Sequence, residues 1–120
     1  MAVQSYKELI AWQKAMDFVV EVYRATAAFP ADERFGLTIQ VRRAAVSVPS
    51  NIAEGQGRGP GNDFVRFLCI ARGSLQEIDT QLMLAVRLGF LPQDQYDSLS
   101  SRLIEVAKLV NGLIRSIPTD

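Results

Sequence analysis

Arginine is the residue type in this chain best suited to act on another molecule. Arg42 and Arg43 stand side by side, and Arg58, Arg66 and Arg72 follow. A guanidinium binds phosphate in a bidentate fashion. A protein that holds phosphates this way loses affinity steeply as salt rises. The same groups suit ion pairing within a chain or between subunits, for example Arg43 with Glu54 or Glu77. No exposed aromatics interleave with these arginines, which argues against a stacking platform for single strands.

Other reactive groups are sparse. The chain has no histidine and one cysteine, Cys69. A nucleophile paired with an imidazole base is therefore excluded. Zinc and facial-triad iron sites are not expected, and no disulfide can form within the chain. Cys69 sits among apolar residues of helical spacing and reads as a small buried hydrophobe. Glu54 and Glu77 could serve as an acid–base pair or as ligands of a bridged metal pair. The known bundle version of such a metal site takes Glu-x-x-His from two of its helices, and this chain has none. The expectation is no enzyme activity, no cofactor and no metal.

The 120 residues carry 13 basic and 13 acidic side chains, a formal charge of zero. The distribution is uneven. Between Arg34 and Arg72 six arginines stand against Glu54 and Asp63, a local +4 balanced by −4 elsewhere. A zero total argues against a strongly basic nucleic-acid binder, while the local excess leaves room for a smaller anionic site. Apolar residues make up 48%, as in a globular domain. No apolar run is long enough for a transmembrane helix, and the opening MAVQSYKELIAW has no leader pattern. These features lead us to expect a cytoplasmic protein with one domain over 1–120.

Four helical segments must position these groups. The first is expected over about 7–28, with Leu9, Trp12, Met16, Val19, Val20, Tyr23 and Ala27 as its core stripe, ended by Phe29-Pro30. The second begins between Ala31 and Gly36, with Asp32 and Glu33 at its positive end. Its core stripe is Leu37, Val41, Ala44, Ala45, Val48 and Ile52. Beside that stripe runs a polar row, Gln40, Arg43, Ser47, Asn51 and Glu54. A third sector is mostly small and apolar, with Val46, Pro49, Ala53 and Arg42. A polar row flanked on both sides by apolar residues suggests a helix buried on more than one side. Pro49 removes one helical hydrogen bond, and the in-phase stripe on both sides predicts one kinked helix, with Ser47 or Asn51 satisfying freed backbone groups.

Gly55 is read as the start of a loop with four glycines in seven residues, ending at Gly61. The loop lacks the context of a phosphate-cradling turn, which follows a strand or carries Gly-Lys-Ser/Thr. It reads as a helix end and connector, with a weak anion site conceivable where Arg58 adjoins the helix start at Asn62-Asp63. The third helix is expected over about 63–88, with Phe64, Phe67, Leu68, Ala71, Leu75, Ile78, Leu82, Ala85 and Val86 inward. Its second row is Ile70, Gly73, Glu77, Leu84 and Leu88. A mid-helix glycine costs about 1 kcal/mol against alanine, which suggests that another helix approaches Gly73 closely. Gly89 and Pro92 mark the exit. The fourth helix spans about 93–117, with Tyr96, Leu99, Leu103, Val106, Val110, Leu113 and Ile117 inward. Short breaks favour an all-α, antiparallel up-down-up-down four-helix bundle.

Several segments carry a known pattern: Phe35-Gly36-Leu37-Thr38, Gln40 to Ala45, Ser47 to Gly55, Arg58, Phe64, Phe67-Leu68, Ala71, Gly73-Ser74, Glu77 and Thr80. Together, over Tyr6 to about Arg115, they resemble the 23S rRNA-intervening sequence protein family, also called the four helix bundle protein family. The resemblance implies a homopentamer of antiparallel bundles around a central channel. Some members are encoded within bacterial large-subunit rRNA genes. A related branch, the accessory variability determinant of diversity-generating retroelements, is strongly basic and binds a reverse transcriptase and nucleic acid. Two roles follow as expectations. One is an adaptor for rRNA or a ribonucleoprotein, with Arg42, Arg43, Arg58 and Arg66 on phosphates. The other is an oligomeric protein-interaction scaffold, in which those arginines and the row Gln40, Arg43, Ser47, Asn51, Glu54, Gly73 and Glu77 hold subunits together.

Overall fold

The computed structural model describes residues 5–119. The expected domain of 1–120 and the leader reading of the first residues extend beyond it. A short 3₁₀ turn, Tyr6–Glu8, precedes α1 (Ile10–Thr26), and another, Ala31–Glu33, precedes α2 (Leu37–Gly57). Then follow α3 (Asn62–Arg87) and α4 (Gln93–Ser116), with no strand among the described residues.

Each helix packs on two neighbours, α1 on α2 and α4, and α3 on α2 and α4. The cross-helix contacts run in opposite chain directions. Arg42 meets Thr26, Ser47 meets Ser74, Tyr96 meets Asp79, and Arg72 meets Asn111. The result is an antiparallel four-helix bundle around one apolar cluster.

Local signals explain the helix ends. The Leu37 amide donates to the Glu33 carboxylate at 3.0 Å, so an acid caps the start of α2. Gly89 has φ +80° and follows α3, where its amide and that of Phe90 close the last turn. Phe90 then packs on Phe29, which ties the α1–α2 and α3–α4 connections together at one end.

Most of the expected core is buried. All six residues of the α2 stripe are inside, as are Phe64, Phe67, Leu68, Ala71, Leu75, Ile78, Leu82 and Ala85 on α3. In α4, Leu99, Leu103, Val106 and Val110 are buried, and Tyr96, Leu113 and Ile117 flank them. The first helix differs. Its buried face is Ala11, Ala15, Phe18, Val22 and Thr26. Met16, Val20 and Tyr23 are exposed, and Leu9, Trp12 and Val19 sit at the margin. The alanines let α1 sit close to its neighbours, so the bulky stripe rolls outward onto the α2 side.

The glycine segment also differs from expectation. Helix α2 continues through Gly55 to Gly57. Gly55 is buried, and a Cβ built on it would lie 2.8 Å from Phe67 Cβ and 3.0 Å from a Phe64 ring atom. Its role is close packing of α2 on α3, and the chain turns only at 58–61.

Candidate functional site

The polar row lies where α2 and α3 meet. Ser47 and Ser74 hydroxyl oxygens are 2.6 Å apart, and Ser47 also contacts the Ala44 carbonyl at 2.9 Å. One proton per hydroxyl fits a chain in which Ser74 donates to Ser47 and Ser47 donates to Ala44. The Asn51 amide donates to the Ser47 carbonyl at 2.7 Å. Pro49 stays within α2, as expected. The carbonyl that a proline leaves unpaired is four residues back, which is Ala45. Neither Ser47 nor Asn51 bonds to it; they bond the Ala44 and Ser47 carbonyls.

The charged members of the row stay apart within the protomer. Gln40, Arg43 and Glu54 are exposed, and among the described residues Arg43 forms no ion pair with Glu54 or Glu77. Among the described residues Glu77 accepts only from the Gln81 amide, at 3.1 Å. Gln81 is a site residue that the sequence reading missed. It is buried, and its Oε1 has no hydrogen-bond partner among the described residues. Its one sequence signal is its spacing of seven from Ser74, which puts both on the same side of α3.

Gly73 lies on the outer side of α3. Among the described residues nothing stands within 4 Å of a Cβ built there, so none of the described helices makes the close approach expected at Gly73. The rest of its row, Ile70, Leu84 and Leu88, is exposed. This row forms an apolar ridge, broken by Gly73 and Glu77.

The four arginines proposed for phosphate contact do not share one surface. Arg42 belongs to the α1–α2 junction. Its Nε donates to Thr26 Oγ1 at 2.9 Å, another nitrogen donates to the Tyr23 carbonyl at 3.3 Å, and the guanidinium lies over the Tyr23 ring. Arg43 is exposed on α2. Arg58 and Arg66 stand at the far end, both over the buried Phe67 ring, at 5.1 and 4.7 Å from its centroid. Asp63 is 3.7 Å from Arg66 and offers it a weak, exposed partner. Arg72 leans on Asn111 and on the Cys69 sulfur.

A cleft of about 350 Å³ runs between α1 and α2, lined by Tyr6, Trp12, Met16, Val46, Pro49 and Ala53. It joins the rolled-out face of α1 to the third sector of α2. Among the described residues no group of three or more His, Cys, Asp or Glu could hold a metal ion. No described helix is long and apolar enough to cross a membrane.

The model of the 23S rRNA-intervening sequence protein family matches residues 7–112. A crystal structure at 1.70 Å of a protein of unknown function from the S23 ribosomal protein family of Bacteroides thetaiotaomicron is similar in fold. It is 24% identical, the match covers 89% of this chain and 96% of that one, and the TM-score is 0.81. No curated protein matches.

Proposed function

The chain belongs to the 23S rRNA-intervening sequence protein family, and on that premise we propose that it acts as a homo-oligomeric, non-enzymatic scaffold for a protein partner in the bacterial cytoplasm. The observation that carries this reading is the uncovered ridge on α3, where Ile70, Leu84 and Leu88 flank a Gly73 with open space beside it. An exposed apolar row of this kind suits contact between molecules. Arg43 and Glu54 on α2 and Glu77 on the ridge, which have no ion-pair partner among the described residues, supply charges for contacts between copies. The five-subunit assembly implied by the resemblance is the expected stoichiometry. Light scattering on the full chain tests this. A mass several times the protomer's, lowered by Arg43→Ala, is expected; a protomer mass at every concentration overturns the reading.

One observation favours a second reading, an adaptor on rRNA or another structured RNA. Arg58 and Arg66 share the Phe67 ring at the α2–α3 turn, where Asp63, 3.7 Å from Arg66, is a weak, exposed partner. That pairing suits a phosphate backbone. Binding to rRNA fragments at ~50 and ~200 mM salt decides it, since 6–10 phosphate contacts would cost about 10³–10⁵ in affinity over that range. No binding at the lower salt removes it.

A further inference from the structure

We propose that the α3 ridge of one copy seats in the α1–α2 groove of the next; the pairing rests on the self-association reading above and names its two faces. Ridge and groove lie on different sides of the bundle, so one chain presents both halves of the contact. The ridge offers Ile70 one turn before Gly73 and Leu84 about three turns after it, and the groove offers Met16, Val46 and Pro49. Gly73 has no side chain, so the α3 backbone can approach a groove closely at that point.

Charge fits the same pairing. Among the described residues Glu77 on the ridge has no cation partner, and Arg42, at the α1–α2 junction one turn before Val46, has no carboxylate partner. Arg42 keeps one guanidinium nitrogen beyond those bonded to Thr26 and Tyr23.

Height fits as well. The Ser47–Ser74 contact fixes the register of α2 against α3. Three residues beyond Ser74, Glu77 stands opposite Ala44, about 3 Å along the axis from Arg42 at 1.5 Å per residue. Val46 likewise stands level with Leu75, about 3 Å from both Gly73 and Glu77. Rotation about an axis parallel to the bundle preserves height, so neighbours related this way bring Arg42 to Glu77 and Val46 to Gly73.

Two different faces meeting head to tail give a ring if the rotation closes and a filament if it does not. The groove includes α2, and the ridge lies on α3, which packs against α2. Adjacent sides of a four-helix bundle meet at roughly a right angle, so the closed form is a small ring with the outer edge of α2, at Arg43 and Ser50, turned toward its centre.

The test uses Val46→Asp and Ile70→Asp in the full chain. Both positions are well exposed, 42% and 43%, so the protomer keeps its fold, and circular dichroism verifies that. Each variant alone is expected to fall to the protomer mass. Mixed one to one, they should form a species of twice that mass and no larger, because only one interface survives. If either variant stays assembled, or the mixture remains at the protomer mass, the pairing is overturned while self-association stands. If the wild-type chain is itself a protomer at all concentrations, both fail.

Discussion

Gly55 on α2 presses its bare backbone against Phe67 on α3: a Cβ at Gly55 would sit 2.8 Å from the Cβ of Phe67. Phe67 is in turn the ring on which Arg58 and Arg66 lie. Close helix packing and the placement of two cations therefore share one contact. Gly55→Ala gains helix propensity but forces the helices apart, and overpacking of this kind costs about 1–3 kcal/mol. We expect a lower melting temperature. An unchanged or raised value would mean that α2 and α3 can separate freely there.

Gly73→Ala should behave in the opposite way in the protomer. Open space surrounds the position, and alanine gains up to about 1 kcal/mol in a helix interior. Denaturant unfolding of the dissociated chain should show the gain. The same change should weaken assembly, because the methyl group meets the neighbouring copy.

Arg42 and Arg43 are adjacent in sequence and should differ sharply in effect. Arg42→Ala breaks two hydrogen bonds and a ring contact that tie α2 to the end of α1. A loss of about 1–2 kcal/mol is expected. Arg43→Ala touches an exposed side chain with no ion pair among the described residues, and protomer stability should stay within about 0.5 kcal/mol. Urea unfolding of the two variants at low protein concentration measures the contrast.

Tyr96 donates to Asp79 at 2.7 Å across α3 and α4. This hydrogen bond, followed by burial and the Asp79 charge, raises the Tyr96 pKa above its ordinary 10.0. The folded state therefore holds the phenol proton more tightly than the unfolded state. The resulting stability is present below pH 10 and is lost as pH climbs through the raised value. Tyr96→Phe should flatten the fall of melting temperature on the alkaline side. If both proteins fall in parallel, the hydrogen bond contributes nothing.

Much of this arrangement was legible in the sequence, because α2, α3 and α4 each carry a clear core stripe, and Gly89 and Pro92 mark the exit from α3. The face of α1 was not. Apolar residues occupy more than half its circumference, and periodicity gives weight to Trp12, Met16 and Tyr23, whereas packing selects Ala11 and Ala15 for closeness. Gly55 misled for a related reason. A glycine near a helix end signals a cap, and only the neighbour across the interface reveals that this one marks contact. The polar row was readable as a row from its spacing. Which of its members bond, Ser47 to Ser74 but not Arg43 to Glu77, depends on the register between helices, which no single helix encodes.

Trp12 is the chain's one tryptophan, and it lines the α1–α2 cleft with its ring edge-on to Tyr6 at 5.3 Å. The protein thus carries its own optical probe at the groove. Water removed from that cleft shifts indole emission to the blue, and water returned shifts it to the red. Dilution followed by fluorescence alone would report whether the groove is filled, with no label attached.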